Sequence, residues 1–153
     1  MNKIIAVLDA CVLYPAPLRD FLLHLATQKL YQPKWSDIIH DEWTRSLLKN
    51  REDLNAESLE KTVDMMNTFF RDANVETNEN FDKILNELDL PDKDDRHVLA
   101  TAILSNAEFI ITFNLKDFPI QELSKYDIKP IERVHNKLSF FQLVVCYLIH
   151  KQG

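Results

Sequence analysis

Ile4-Ile5-Ala6-Val7-Leu8-Asp9 near the N-terminus and Phe109-Ile110-Ile111-Thr112 far downstream decide the fold. Each is a short, unbroken apolar run closed by a polar residue, the pattern of a strand buried on both faces of a sheet. Helical stripes lie between and around them. Leu18, Phe21, Leu22 and Leu25 space one helix that runs to about Lys29. Ser36 or Asp37 caps a second, which extends to about Lys49. Leu59, Val63, Met66, Phe69 and Phe70 mark a long amphipathic segment, and Phe81, Ile84, Leu85 and Leu88 another. Pro91 halts that pattern, and the acidic turn Asp92-Lys93-Asp94-Asp95 opens a helix reaching about Ala107. Weaker strand signals occupy residues 31–35, 74–77 and 128–131, and a closing helix is expected over 139–150. Alternating short strands and amphipathic helices predict an α/β fold, a sandwich of helices around a mostly parallel sheet. No repeat, low-complexity tract or linker divides the chain, so one domain is expected over residues 1–153.

Of the 153 residues only Gly153 is glycine, where ordinary usage would supply roughly eleven. A P-loop, a GxGxxG dinucleotide turn and a GxSxG nucleophile elbow all need more. Phosphate or acyl chemistry must therefore rest on side chains or a metal. The balance of 18 basic against 24 acidic residues argues against holding nucleic acid by bulk charge, although a local basic patch remains compatible. Cys11 and Cys146 follow no metal-ligand or CxxC spacing and read as buried thiols of a reducing compartment. Asp9 interrupts the N-terminal apolar run too early for a signal peptide, and the run Phe140–Ile149 is too short to span a bilayer. A cytoplasmic protein without a membrane segment is expected.

Sites in open α/β sheets form at the carboxyl ends of strands, which makes an acid there more informative than one elsewhere. Asp9 ends the first strand. A turn or capping role competes, but the apolar Ala10-Cys11-Val12-Leu13 gives no sign of a helix starting at once. At 100° per residue, Glu42 shares the inward face set by Ile38, Ile39, Trp43 and Leu47, while Asp41 falls on the solvated side. The competing role for Glu42 is a stripe-edge carboxylate paired with a Lys or Arg. Asp95 lies on the buried face with Val98, Leu99, Ala102 and Ile103, and Asp94 points away. Asp95 could equally serve a capping box opened by Asp92. Asn114 and Asp117 follow the second buried strand, where they either shape a turn or join a site. In a parallel sheet these acids meet at one edge, where mutual repulsion calls for a cation; oxygen ligands suit Mg²⁺ or Mn²⁺. His97 is read as a surface residue on the solvated face of its helix, and the other histidines form no motif.

VLDACVLYPAPLRDFLL (7–23), WSDIIHDEW (35–43), PDKDDRHVLATAI (91–103) and FIITFNLKDFP (109–119) resemble, in this order, the PIN-domain family. Among its members they are most like the bacterial toxin type found in VapC-like toxin–antitoxin pairs. The resemblance implies a Rossmann-like α/β/α sandwich and a Mg²⁺- or Mn²⁺-dependent endoribonuclease leaving a 5′-phosphate and a 3′-hydroxyl. It assigns Asp9, Glu42, Asp95 and Asp117 as the catalytic, metal-holding acids, with Thr112 and Asn114 in support. Cys11 stands where many members carry Asn or Ser. Arg96 and Lys116, each beside a proposed ligand, are the foremost candidates for contacts to RNA; Arg19, Lys34, Arg45 and Lys49 are further ones. Segment 59–88 reads as core, or as a clip whose Met65, Met66, Phe69 and Phe70 receive an antitoxin or a second copy of the chain. A catalytically silent PIN-like RNA- or protein-binding module is the alternative function. Aspartyl phosphoryl transfer lacks its residues, since Cys11 occupies the position where haloacid-dehalogenase-like enzymes need a second Asp.

Overall fold

The structure, a computed structural model, describes residues 4–132. Its strands are β1 (Ile5–Leu8), β2 (Gln32–Ser36), β3 (Asn74–Val75), β4 (Phe109–Thr112) and β5 (Lys129–Glu132). The helices are α1 (Ala10–Leu13), α2 (Ala16–Thr27), α3 (Asp37–Asn50), α4 (Ala56–Phe69), α5 (Glu79–Glu87), α6 (Arg96–Leu104) and α7 (Ile120–Leu123). All strand pairings are parallel, in the order β3-β2-β1-β4-β5. This is the expected α/β sandwich, with its sheet wholly parallel among the described residues. The helix expected over 139–150 lies outside them.

The strand order places the site. From β1 the chain steps one way to β2 and β3, then returns to the other side of β1 to lay down β4 and β5. Right-handed crossovers carry the connections of these two halves over opposite faces. The crevice opens where the direction reverses, between the carboxyl ends of β1 and β4. Register makes those ends adjacent, for Leu8 pairs with Ile111, and Asp9 N–H donates to Ile111 O at 3.0 Å.

Both apolar runs are buried as their unbroken pattern predicts: Val7, Leu8 and Ile110 have no exposure. Trp35, Trp43, Phe81 and Phe118 are the bulkiest fully buried side chains. Beside the sheet, one polar cluster crosses the core. Trp35 Nε1–H donates to Asn67 Oδ1 (2.7 Å), Trp43 Nε1–H donates to His40 Nδ1 (3.0 Å), and His40 Nε2 meets Asn67 Oδ1 at 3.3 Å. Because Nδ1 accepts, the imidazole proton sits on Nε2 and is donated to Asn67. The cluster joins α3 to α4 and β2. Burial above all holds the His40 pKa below its ordinary value.

Left-handed turns are made without glycine. Lys29 (φ 60°), Asn106 (φ 55°) and Asp127 (φ 57°) take that conformation. Asn and Asp tolerate it through local hydrogen bonds; Lys29, just past α2, has only its helix-terminating geometry to offset the steric cost. No helix among the described residues is long and apolar enough to cross a membrane.

Candidate active site

Asp9 is the fixed point. It is 5% exposed, and each carboxylate oxygen is held: Oδ1 accepts from Ala10 N (2.8 Å), and Oδ2 accepts from Thr112 Oγ1 (2.8 Å) and Cys11 Sγ (3.5 Å). Contrary to the sequence expectation, α1 does begin at once after Asp9, and Asp9 caps it. Capping and site roles coexist because the short α1 hangs directly from the strand end. Burial pushes the Asp9 carboxyl above its usual range; the bonds from Thr112, Ala10 and Cys11 oppose that rise, and the charge of Glu42 adds to it.

Thr112 ends β4 and ties it to β1. Its hydroxyl donates to Asp9 and accepts from Asn114 N at 3.0 Å, which sets the turn out of the strand. Cys11 strengthens the same tie. Phe113 N donates to Cys11 Sγ at 3.3 Å, and burial, then the charge of Asp9, pushes the thiol up to about 12. It therefore stays a thiol, able to donate to Asp9. The residue that departs from the family's polar position still supplies the hydrogen bond.

Glu42 comes from α3 and Asp95 from the start of α6. Asp9, Glu42, Asp95 and Asn114 line one open pocket of about 330 Å³, with Cys11, Tyr14, Trp43 and Ser46 among its walls. The capping role for Asp95 is absent: Asp92 caps the turn Lys93–Asp95 by accepting from Asp94 N (2.9 Å), while Asp95 makes no capping bond. Burial, followed by the charges of Asp9, Asp117 and Asp92, raises the Asp95 carboxyl to about 7. Asp117, in the turn Leu115–Asp117, lies near enough for its charge to contribute to that rise.

Among the described residues no three acidic, histidine or cysteine side chains close to ligand distance around one point. The acids face an open space instead. The donor set there is oxygen, mostly carboxylate, which fits a hard divalent cation and not zinc. A larger hollow of about 690 Å³ lies beyond, between Leu115 and Pro130, but its lining is mainly apolar with Asp127 as its one acid.

His97 is a residue that the sequence reading misplaced. It is buried, and its Nε2 is in ion-pair contact with Glu42 Oε1. The helical wheel assumed a solvated side, yet α6 has none past its first turn: Val98, Leu99, Ala100, Thr101 and Ala102 are all buried. The signal was present in HVLATAIL, which carries no charged residue.

The basic candidates divide. Lys116 is exposed, and Arg96 is half-buried with Nε donating to Lys93 O at 3.1 Å. Arg19 is structural: it is buried, donates to Leu13 O (2.8 Å) and stacks 4.6 Å over the Trp43 ring. Lys34 donates to Asp72 O, and Arg45 pairs with Asp41 at 3.0 Å, both away from the acids.

Residues 5–116 match the PIN domain family, a span that holds Asp9, Glu42, Asp95, Thr112 and Asn114. The chain belongs to the PIN-domain family. Asp117 falls just past the matched span of the PIN domain. A shorter likeness joins it: 37 residues are 54% identical to the protein named "Putative ribonuclease VapC50" of Mycobacterium tuberculosis (strain ATCC 25618 / H37Rv). That stretch is 24% of this chain and 22% of the relative, so the two are alike over under a quarter of the relative's length.

Proposed function

We propose that this PIN domain is a Mg²⁺- or Mn²⁺-dependent endoribonuclease hydrolysing RNA phosphodiester bonds, and that it is the toxin of a cytoplasmic toxin–antitoxin pair. One observation carries the proposal: Asp9, Glu42 and Asp95 line a single open pocket at the switch point, with Asp117 close enough for its charge to raise the Asp95 carboxyl. These four acids would hold the cation. When bound, such an ion supplies an acidified water and charge compensation for the leaving oxygen. The chain's own part is to fix the acids and receive the RNA. Thr112, Cys11 and the Ala10 amide lock Asp9, so its oxygens need no reorganisation. Asn114 lines the pocket and offers an amide donor to a phosphate or sugar oxygen. Arg96 and Lys116 place positive charge beside Asp95 and Asp117, where it offsets the repulsion between the acids and an RNA backbone.

The antitoxin surface is assigned to α4. Met65 and Phe69 are 72% and 69% exposed, whereas Met66 is core. An apolar pair left outside on an amphipathic helix suits a partner's apolar segment or a second copy of the chain. The presence of all four acids and the Cys11 bond to Asp9 favour the enzyme over the alternative of a silent binding module.

Purified chain incubated with mixed RNA and Mg²⁺ or Mn²⁺ tests the activity. Cleavage is expected, and it is expected to vanish with EDTA or with Asp9→Asn. Cutting that survives both would sink the metal-site mechanism; no cutting by the unchanged chain would favour the binding module.

A further inference from the structure

We infer that His97 is a positioning residue that aims the Glu42 carboxylate into the pocket. The inference rests on the proposed metal site and adds a residue to it. Glu42 sits within α3, where the nearby backbone amides are engaged in the helix, so no capping bond can fix its side chain. Its side chain is 41% exposed, and a solvated glutamate samples several rotamers. Asp9 has three bonds to hold it; Glu42 needs one from elsewhere.

His97 is placed to supply it from α6. Its side chain is 7% exposed, and Nε2 lies against Glu42 Oε1. A carboxylate oxygen accepts, so Nε2 must carry the hydrogen. Both ring nitrogens are buried, and neither makes a hydrogen bond of ordinary geometry among the described residues, so the close contact of Nε2 with Glu42 is the polar approach the ring has. Nothing recorded on the imidazole competes with Glu42 for its orientation. The packing of α6 prevents the ring from turning out, because Val98 and Thr101 beside it are fully buried and Thr101 Oγ1 donates to His97 O at 2.7 Å. One carboxylate oxygen is thus held, and the other is left for the pocket. The contact also joins α3 to the helix that carries Asp95, so two acids from distant sequence keep a fixed relation. Residues that orient a metal ligand typically carry a 10- to 100-fold share of metal affinity.

Calorimetric titration of Mn²⁺ into the whole 153-residue chain tests this, with thermal unfolding of each metal-free variant alongside. His97→Leu is expected to weaken Mn²⁺ binding about tenfold or more. His97→Gln, whose amide can donate to Glu42 from a similar reach, is expected to stay within about threefold of the unchanged chain. In a Glu42→Gln background, His97→Leu is expected to add nothing. Pulsed electron paramagnetic resonance of the bound Mn²⁺ is expected to show no directly coordinated nitrogen. Equal affinity in His97→Leu, an equal loss in the Glu42→Gln background, or nitrogen coordinated to Mn²⁺ would each overturn the positioning role. If His97→Leu does not fold, a His97→Gln loss as large as that of Glu42→Gln overturns it as well. A different result marks failure of the underlying site: Asp9→Asn and Glu42→Gln would then bind Mn²⁺ as the unchanged chain does, or that chain would bind none.

Discussion

Asp95 shows most clearly how the site behaves without a cation. Its pKa in the folded chain is raised to about 7, above the ordinary 3.8, so the folded state holds the proton more tightly than the unfolded state does. Stability linked to that proton is complete below about pH 4 and is lost as pH rises through 7. Asp9, also raised, adds the same sign. Metal-free protein in EDTA is therefore expected to have a higher urea midpoint at pH 5 than at pH 7.5, and Asp95→Asn is expected to flatten that difference. An unchanged pH slope in Asp95→Asn would show that the strain lies elsewhere. A helical wheel was enough to separate Asp95 from Asp94, because a short amphipathic start has a definite inward side. It failed for His97, because a helix packed all round has no outward side for the wheel to find. The Thr112 bond to Asp9 and the Phe113 bond to Cys11 join residues about a hundred positions apart, and no local pattern encodes such a pair.

Among the elements, α3 and α4 meet through polar groups as well as apolar ones. Trp35 is fully buried, and its indole N–H has Asn67 as acceptor. Asn67→Leu would leave that donor unpaired and remove the partner of His40 Nε2. Its expected cost is about 1–3 kcal/mol, read from urea denaturation at pH 7. A loss within a few tenths would mean that water reaches the indole. Strand and helix positions were mostly legible: β4 coincides with the apolar run at 109–112, and α3 begins where Ser36 accepts from Ile39 N. Weaker segments were displaced by a residue or two. Gln32–Ser36 extends past Pro33, which leaves the register to be set by pairing with β1 and β3. The amphipathic pattern of α4 gave Leu59 and Met66 as inward but wrongly grouped Phe69 with them, for Phe69 lies outside beside Met65, and an outward apolar pair has no signature of its own.

Across the whole molecule, strand order turns scattered acids into one site. Asp9 leaves β1 and Asp117 follows β4, the two strands flanking the switch point; Glu42, on α3, and Asp95, at the start of α6, line the same pocket as Asp9. Parallel strands were readable in the sequence as unbroken apolar runs, but their order was not, because every parallel arrangement buries such runs equally well. The scarcity of glycine acquires a cause at this scale. A site that meets phosphate through carboxylates and a cation needs no glycine-rich loop, and the left-handed turns fall to Lys29, Asn106 and Asp127. The central claim is that these acids gather to bind a hard divalent ion. Anomalous diffraction from crystals of the protein grown with Mn²⁺ tests it most directly. A single region of Mn²⁺ density in the pocket, in contact with Asp9 and at least one of Glu42, Asp95 and Asp117, is the predicted result. Density absent there, or found only at other acids such as Asp37, Asp41, Glu60 and Asp64 between α3 and α4, would contradict it.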